Sequence, residues 1–190
     1  MKVKLLAAVI LVMSVGTAGA IVDISAGPYI GMNIPVVNDQ AKSGRLFGLQ
    51  AKVSFLSFLA VGAHYSSSSL GEVEHTFFEG QTDYEFTESI DGGDITSFGF
   101  DAYLGMTGFT PGVKLYFVGS LGTWKWKRDY TDEVSETVFG VGPALEVVLP
   151  FNLGLEGRGM FEIAPTDGGG SVKSVVWFVG ANYHFGSLLK

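Results

Sequence analysis

Ser97-Phe98-Gly99-Phe100-Asp101-Ala102-Tyr103-Leu104-Gly105-Met106 alternates without a break. Phe98, Phe100, Ala102, Leu104 and Met106 fall on one side, and Ser97, Gly99, Asp101, Tyr103 and Gly105 on the other. A period of two marks a β-strand with unlike faces, and no helical spacing matches it. One face is greasy; the other is small, polar or charged.

The pattern returns along the chain. Val22, Ile24, Ala26, Pro28, Ile30 and Met32 oppose Asp23, Ser25, Gly27, Tyr29 and Gly31. Phe47, Leu49, Ala51, Val53 and Phe55 oppose Gly48, Gln50, Lys52 and Ser54. Further alternating runs are Phe58–Ser66, Val113–Thr123, Thr137–Leu149, Leu153–Ile163 and Lys173–Phe185, which makes eight in all. Each is about 9–13 residues long, matching the ~9–11 needed to cross a bilayer as a tilted strand. Pro28 and Pro143 each remove a ladder donor, so a β-bulge is expected at both.

Connection lengths orient the strands. Leu56-Ser57, Gly108–Gly112 and Pro150–Asn152 are short turns. Asn33–Gly44, Ser67–Asp94, Trp124–Glu136 and Ala164–Val172 are longer. Short turns at one end and long loops at the other are the arrangement of an outer-membrane barrel, with the long loops outward. The charges sit on the glycine-rich face, so that face belongs inside a narrow, side-chain-filled barrel and the apolar face belongs in lipid. A soluble barrel would need the reverse. Aromatics near both strand ends supply the interfacial girdles: Phe55, Phe58, Phe109, Tyr183 and Phe185 at the short-turn end, and Phe47, Tyr65, Phe98, Phe139, Phe161 and Trp177 nearer the loops. The expected fold is all-β, an eight-stranded antiparallel up-and-down transmembrane barrel.

Composition narrows the function classes. The 190 residues include 27 glycines and no cysteine, which excludes disulfides, thiolate metal sites and cysteine nucleophiles. A net charge of −7 argues against nucleic-acid binding. Lys2 and Lys4, the apolar run Leu5–Val15 and Ala18-Gly19-Ala20 have the layout of a secretory signal peptide. Residues 1–20 are therefore expected to be a cleaved leader and 21–190 the barrel domain, exported to the outer membrane of a Gram-negative-type envelope.

With the leader, the eight alternating strands, the stretch Phe98–Gly105 and the ending Val179-Gly180-Ala181-Asn182-Tyr183-His184-Phe185, the chain resembles the small outer-membrane β-barrel superfamily. That group includes the OmpA transmembrane domain, OmpX-like and OmpW-like proteins and other "porin family" members. The resemblance covers the mature chain and rests on pattern rather than a signature motif. It implies lipid and lipopolysaccharide as surroundings, and recognition of a terminal aromatic by the barrel-assembly machinery. Phe185 matches that aromatic, although Gly186–Lys190 follow it.

Residues that could carry chemistry point inward: Asp23, Lys52, Asp101, Lys114, Glu146, Glu156, Arg158 and Glu162, with His64 and His184. If the Pro150 turn leaves Leu149 opposite Leu153, Glu146 faces Glu156, and two facing carboxylates need a cation. Arg158 suits by its fork geometry, with Lys52 or Lys114 assisting. The network Lys52, Asp101, Lys114, Glu146, Glu156 and Arg158 is expected to plug the barrel; a switchable gate is the sharper alternative. A glycosidase-like carboxylate pair finds no support in the residues around those glutamates. His64-Tyr65-Ser66 has the H-x-S spacing of barrel lipid A deacylases, but both side chains face inward on the third strand and no matching glutamate accompanies them.

Ser67–Asp94 holds eight acids and no Lys or Arg, which suits a solvated loop or strand extension, collection of Ca²⁺ or Mg²⁺, or recognition of a basic partner. Asp91-Gly92-Gly93-Asp94 is only a fragment of a calcium loop. Trp124-Lys125-Trp126-Lys127-Arg128 suits a rim on which Lys125, Lys127 and Arg128 meet lipopolysaccharide phosphates. No catalytic residue, cofactor or metal site is expected. The functional expectation is a non-enzymatic outer-membrane barrel, plugged and displaying extracellular loops for envelope integrity or surface interaction, to a partner the sequence leaves open. The alternative is a narrow pore for small solutes.

Overall fold

The computed structural model describes residues 22–36, 42–55, 58–77, 86–106, 112–128, 133–165 and 170–187. The expected leader, Leu56-Ser57, Phe109 and most of Gly108–Gly112 lie outside them. Alternation produces the barrel strands β1 (Val22–Val36), β2 (Lys42–Phe55), β3 (Leu59–Gly71), β6 (Asp94–Met106), β7 (Val113–Lys127), β8 (Val134–Leu149), β9 (Leu153–Pro165) and β10 (Ser171–Ser187). They close antiparallel in the order β1-β10-β9-β8-β7-β6-β3-β2. Two short strands, β4 (Val73–Phe77) and β5 (Phe86–Ile90), form a separate ribbon. Closure leaves no sheet edge, the condition for placing a strand backbone in hydrocarbon.

The stagger follows from the register. From Ser25 the ladder passes through Lys52, Gly62, Asp101, Ser120, Gly140, Glu162 and Ser174. It then meets β1 again at Pro35, ten residues beyond its start. Such a shear tilts the strands within the ~35–45° usual for barrels.

Over most of the wall the faces fall as the alternation requires. Ile30, Phe47, Leu49, Phe98, Phe100, Leu104, Phe117, Leu121, Phe139, Val141 and Trp177 are exposed, while Ser25, Gln50, Lys52, Asp101, Glu146, Glu156, Arg158 and Asn182 are buried inside. Inside a narrow barrel a ring fits only where the neighbouring strand yields space. Tyr29 lies opposite Gly48, where a Cβ would come within 2.2 Å of the ring. His64 lies opposite Gly99, where the gap would be 2.7 Å. Glycines such as Gly48, Gly99 and Gly154 thus leave room for the rings that fill the lumen.

Three expectations need correction. The bulges expected at Pro28 and Pro143 do not form. Gly27 and Pro28 drop out of the β10 ladder, and Gly142 and Pro143 out of the β9 ladder, with the same register resuming on either side. A missing N–H leaves a gap in the ladder here without forcing an extra residue. The bulge in β1 lies instead between Asp23 and Ser25.

The long connections are also shorter than read. β1 runs on to Val36, β2 starts at Lys42, β3 reaches Gly71, β7 reaches Lys127 and β8 starts at Val134. At those outer ends the faces exchange character, which is the third correction. Leu70, Ile95, Trp124, Val138 and Ala164 point in and form a buried apolar cluster, backed by Trp126 and Val172. Arg45, Ser67, Ser69, Asp94, Lys125 and Lys127 point out. Trp124 and Trp126 are therefore strand residues on the inner face rather than parts of a loop rim.

Candidate functional site

The lumen of the membrane-spanning part holds a network of buried ionisable groups. As the turn geometry requires, Leu149 pairs with Leu153 and Glu146 with Glu156. The cation between the two glutamates is Lys52, not Arg158: its Nζ lies 2.9 Å from Glu146 Oε1 and 3.0 Å from Glu156 Oε2. Lys52 is on β2, across the barrel, so only closure brings it there. Arg158 instead links Glu156 Oε1 at 3.1 Å to Asp101 Oδ2 at 2.8 Å. It also donates to Gln50 Oε1 at 3.0 Å and to the Tyr103 hydroxyl.

Lys114 stands at the edge, 3.8 Å from Glu146 Oε2. The six residues contribute three positive and three negative charges. Neutral partners complete the set: Asn182 donates to Glu156 at 3.1 Å and accepts from Gln50 at 3.0 Å. Rings cradle both cations, with Lys52 5.2 Å from the Tyr103 centroid and Arg158 4.7 Å from that of Phe178. Buried pairs roughly break even against apolar filling, but removing one member leaves a bare charge at about 3–5 kcal/mol. The arrangement fixes one packing of the lumen.

The histidines extend the network at both ends. His64 Nδ1 lies 3.0 Å from Asp101 Oδ2. His184 Nδ1 lies 2.6 Å from Asp23 Oδ2, and its Nε2 3.4 Å from Glu146 Oε1. Ser66 is buried on the lumen side. His64 and Ser66 thus face the interior, away from any lipid substrate on the outer wall. Glu162 faces in beside Gly140, one ladder step from Ser174.

The rim residues go separate ways. Lys125 and Lys127 point outward, Lys125 lying 3.0 Å from Glu133. The Arg128 guanidinium lies over the Trp126 ring at 4.5 Å. The Trp126 indole donates to the Gly92 carbonyl at 2.9 Å, and Leu70 N–H to the Gly93 carbonyl at 2.9 Å. Asp91 accepts from Gly93 N–H at 3.0 Å, holding Gly93 at φ +83°. The Asp91–Asp94 segment is therefore a fastener that ties the base of the β4–β5 ribbon to the barrel. Glu72 accepts from Ser89 at 2.6 Å. Glu79, Asp83 and Glu85 lie outside the described residues, among which no group of His, Asp or Glu is placed to hold a metal ion.

Sequence reading missed one feature of the short-turn end. Phe151 is left-handed at φ 66° and almost fully exposed below the Leu149–Leu153 pair. A phenylalanine between Pro150 and Asn152 was the visible signal, and the turn conformation was not.

No family model and no curated protein matches the sequence. Solved structures match the fold. Neisserial surface protein A is 15% identical, with a TM-score of 0.57, and the match covers 87% of this chain and 98% of that one. A major outer membrane protein from Thermus thermophilus is 12% identical with a TM-score of 0.53, covering 86% and 99%. Ail, the attachment invasion locus protein of Yersinia pestis, is 22% identical with a TM-score of 0.50, covering 86% and 97%. The chain has the closed eight-stranded antiparallel fold of the small outer-membrane barrels.

Proposed function

We propose that this chain is a non-enzymatic outer-membrane protein whose barrel is plugged and serves as a rigid stand for its outer ribbon and loops. Its role is in envelope integrity or surface interaction. The observation that carries this reading is the filling of the lumen. A network of buried ion pairs spans the membrane-embedded part, and an apolar cluster around Trp124 closes the outer end. Ions crossing such a barrel would have to break buried pairs and then enter an apolar constriction, which excludes them by dewetting. The fastener at Asp91–Gly93 supports display, because it fixes the base of an acidic ribbon. On this reading residues 1–20 are a cleaved leader, Phe185 serves assembly, and the rim bases face lipopolysaccharide.

Planar-bilayer conductance tests it, on refolded protein that shows a heat-dependent gel shift. Electrical silence is expected. Reproducible ion-selective steps that change on replacing Arg158 would establish the narrow pore instead. That second reading draws on one observation: Glu146 Oε2 and Asp101 Oδ1 are buried without a hydrogen bond, leaving acceptors to which Lys52 or Arg158 could re-pair.

A further inference from the structure

Two seams of the barrel differ from the rest. Within the wall, the ladders β1–β2, β3–β6, β6–β7 and β7–β8 run without a break among the described residues. The β2–β3 ladder shifts only at its outer end, between Lys42 and Arg45. Inside the hairpin β9–β10 the ladder is also whole, from Ser171↔Pro165 to Tyr183↔Leu153. Both seams that join this hairpin to the barrel are interrupted. On the β10 side the ladder loses Gly27 and Pro28 and is bulged between Asp23 and Ser25. On the β9 side it loses Gly142 and Pro143, and it starts only at Phe139↔Ile163 although β8 begins at Val134. The same Gly-Pro dipeptide makes both breaks. Neither proline has an N–H for the strand opposite. Each glycine lies so close to a hairpin carbonyl, of Ala181 or of Gly159, that a Cβ would not fit. In hydrocarbon no water replaces a lost backbone bond, so these seams are weaker than their neighbours.

Side chains hold what the backbone does not. Arg158, beside the β9 break, crosses the lumen to Asp101 at 2.8 Å and to Gln50 at 3.0 Å. Asn182, at the β10 break, accepts from Gln50 at 3.0 Å. His184 reaches Asp23 at 2.6 Å, Glu156 meets Lys52 at 3.0 Å, and the Tyr29 ring stacks on Phe178 at 4.2 Å. Gln50 is central, since its one amide serves both breaks from a place on β2 opposite Gly27. The chain enters the hairpin through the turn Pro150–Asn152, and β1 and β10 are joined by no loop.

We propose that the β9–β10 hairpin is a leaf of the wall that opens as one unit, hinged at the Pro150–Asn152 turn, and that Gln50 centres the side-chain latch that closes it. Opening carries Glu156, Arg158, Asn182 and His184 away together. The ion network then comes apart with the wall, rather than by side chains re-pairing in place. The inference stands on the closed fold alone, and its test needs no conductance measurement.

Amide exchange followed by NMR on the refolded, gel-shifting protein in detergent micelles tests this. Amides of the β1–β10 and β8–β9 seams should exchange together, about 10-fold faster than those of β3–β6 and β6–β7. Amides bonded between β9 and β10 should stay protected. Gln50→Leu removes the latch without removing a charge, and should speed both seams by about a further 10-fold while β3–β6 is unchanged. Pro28→Ala combined with Pro143→Ala restores both donors and should slow them by about 10-fold. Equal exchange in all seams, opening of one seam without the other, or a Gln50→Leu rise shared by the whole barrel would overturn the leaf. If Gln50→Leu gives no gel shift, the proline pair decides, and seam exchange unchanged there overturns the proposal.

Discussion

The two ends of the same strands obey opposite rules. In the membrane-spanning part Phe100 points out and Asp101 points in; on β7, beyond the apolar band, Lys125 points out and Trp124 points in. Along β6 and β7 the register is continuous across the change. What differs is the medium outside the wall. Where lipid surrounds the barrel, apolar side chains face outward and the polar remainder must be satisfied inside as an ion network. Where water surrounds it, the barrel reverts to the soluble arrangement with an apolar core. One sheet thus holds two cores, one in which the ion network packs among rings and apolar side chains such as Tyr103, Tyr116, Met160 and Phe178, and one that is apolar throughout.

The comparison breaks first at Lys52. Lys52→Met leaves Glu146 and Glu156 face to face, and should lower stability by about 3–5 kcal/mol, read from urea unfolding followed by gel shift. Adding Glu156→Gln should restore a large part of it. A single variant without effect would mean that the ionic core is not the packing determinant described.

The apolar core can be tested for its sealing role. Trp124→Ala should cost a comparable ~3–5 kcal/mol, as for other large core truncations. It should leave the barrel silent in bilayers while the ion network stands. Combining it with Arg158→Gln should produce conductance. Current through the Arg158→Gln protein alone would show that the apolar end does not seal.

Gly48→Ala probes how rings are fitted inside. The added methyl would sit 2.2 Å from the Tyr29 ring, so the ring or the strand must move, at about 1–3 kcal/mol. Stability equal to the parent would refute close packing there.

The smallest change belongs to the ribbon. Excising residues 73–90 should shift stability by about 0.6 kcal/mol or less, as for a shortened surface loop. The cut stops short of Leu70 and Gly93 because Leu70 belongs to the apolar cluster and bonds Gly93. Loss of any surface interaction with folding intact would support display. A barrel that cannot assemble without residues 73–90 would refute it.

Alternation in residues such as Ser97–Met106 was enough, by itself, to determine the strands, their lipid face and the eight-fold count, because a period of two has one physical reading once charge lies on the narrow side. The turn at Pro150 even determined that Glu146 would face Glu156, since a tight hairpin transmits register. The same alternation was present in Trp124–Arg128, but its phase against the rest of β7 is informative only once the strand is known to continue above the lipid. Which cation would serve the glutamates was beyond the sequence. Lys52 reaches them across the lumen, 94 residues away from Glu146 in sequence, and only a ten-residue stagger at closure decides what lies at one level inside a barrel.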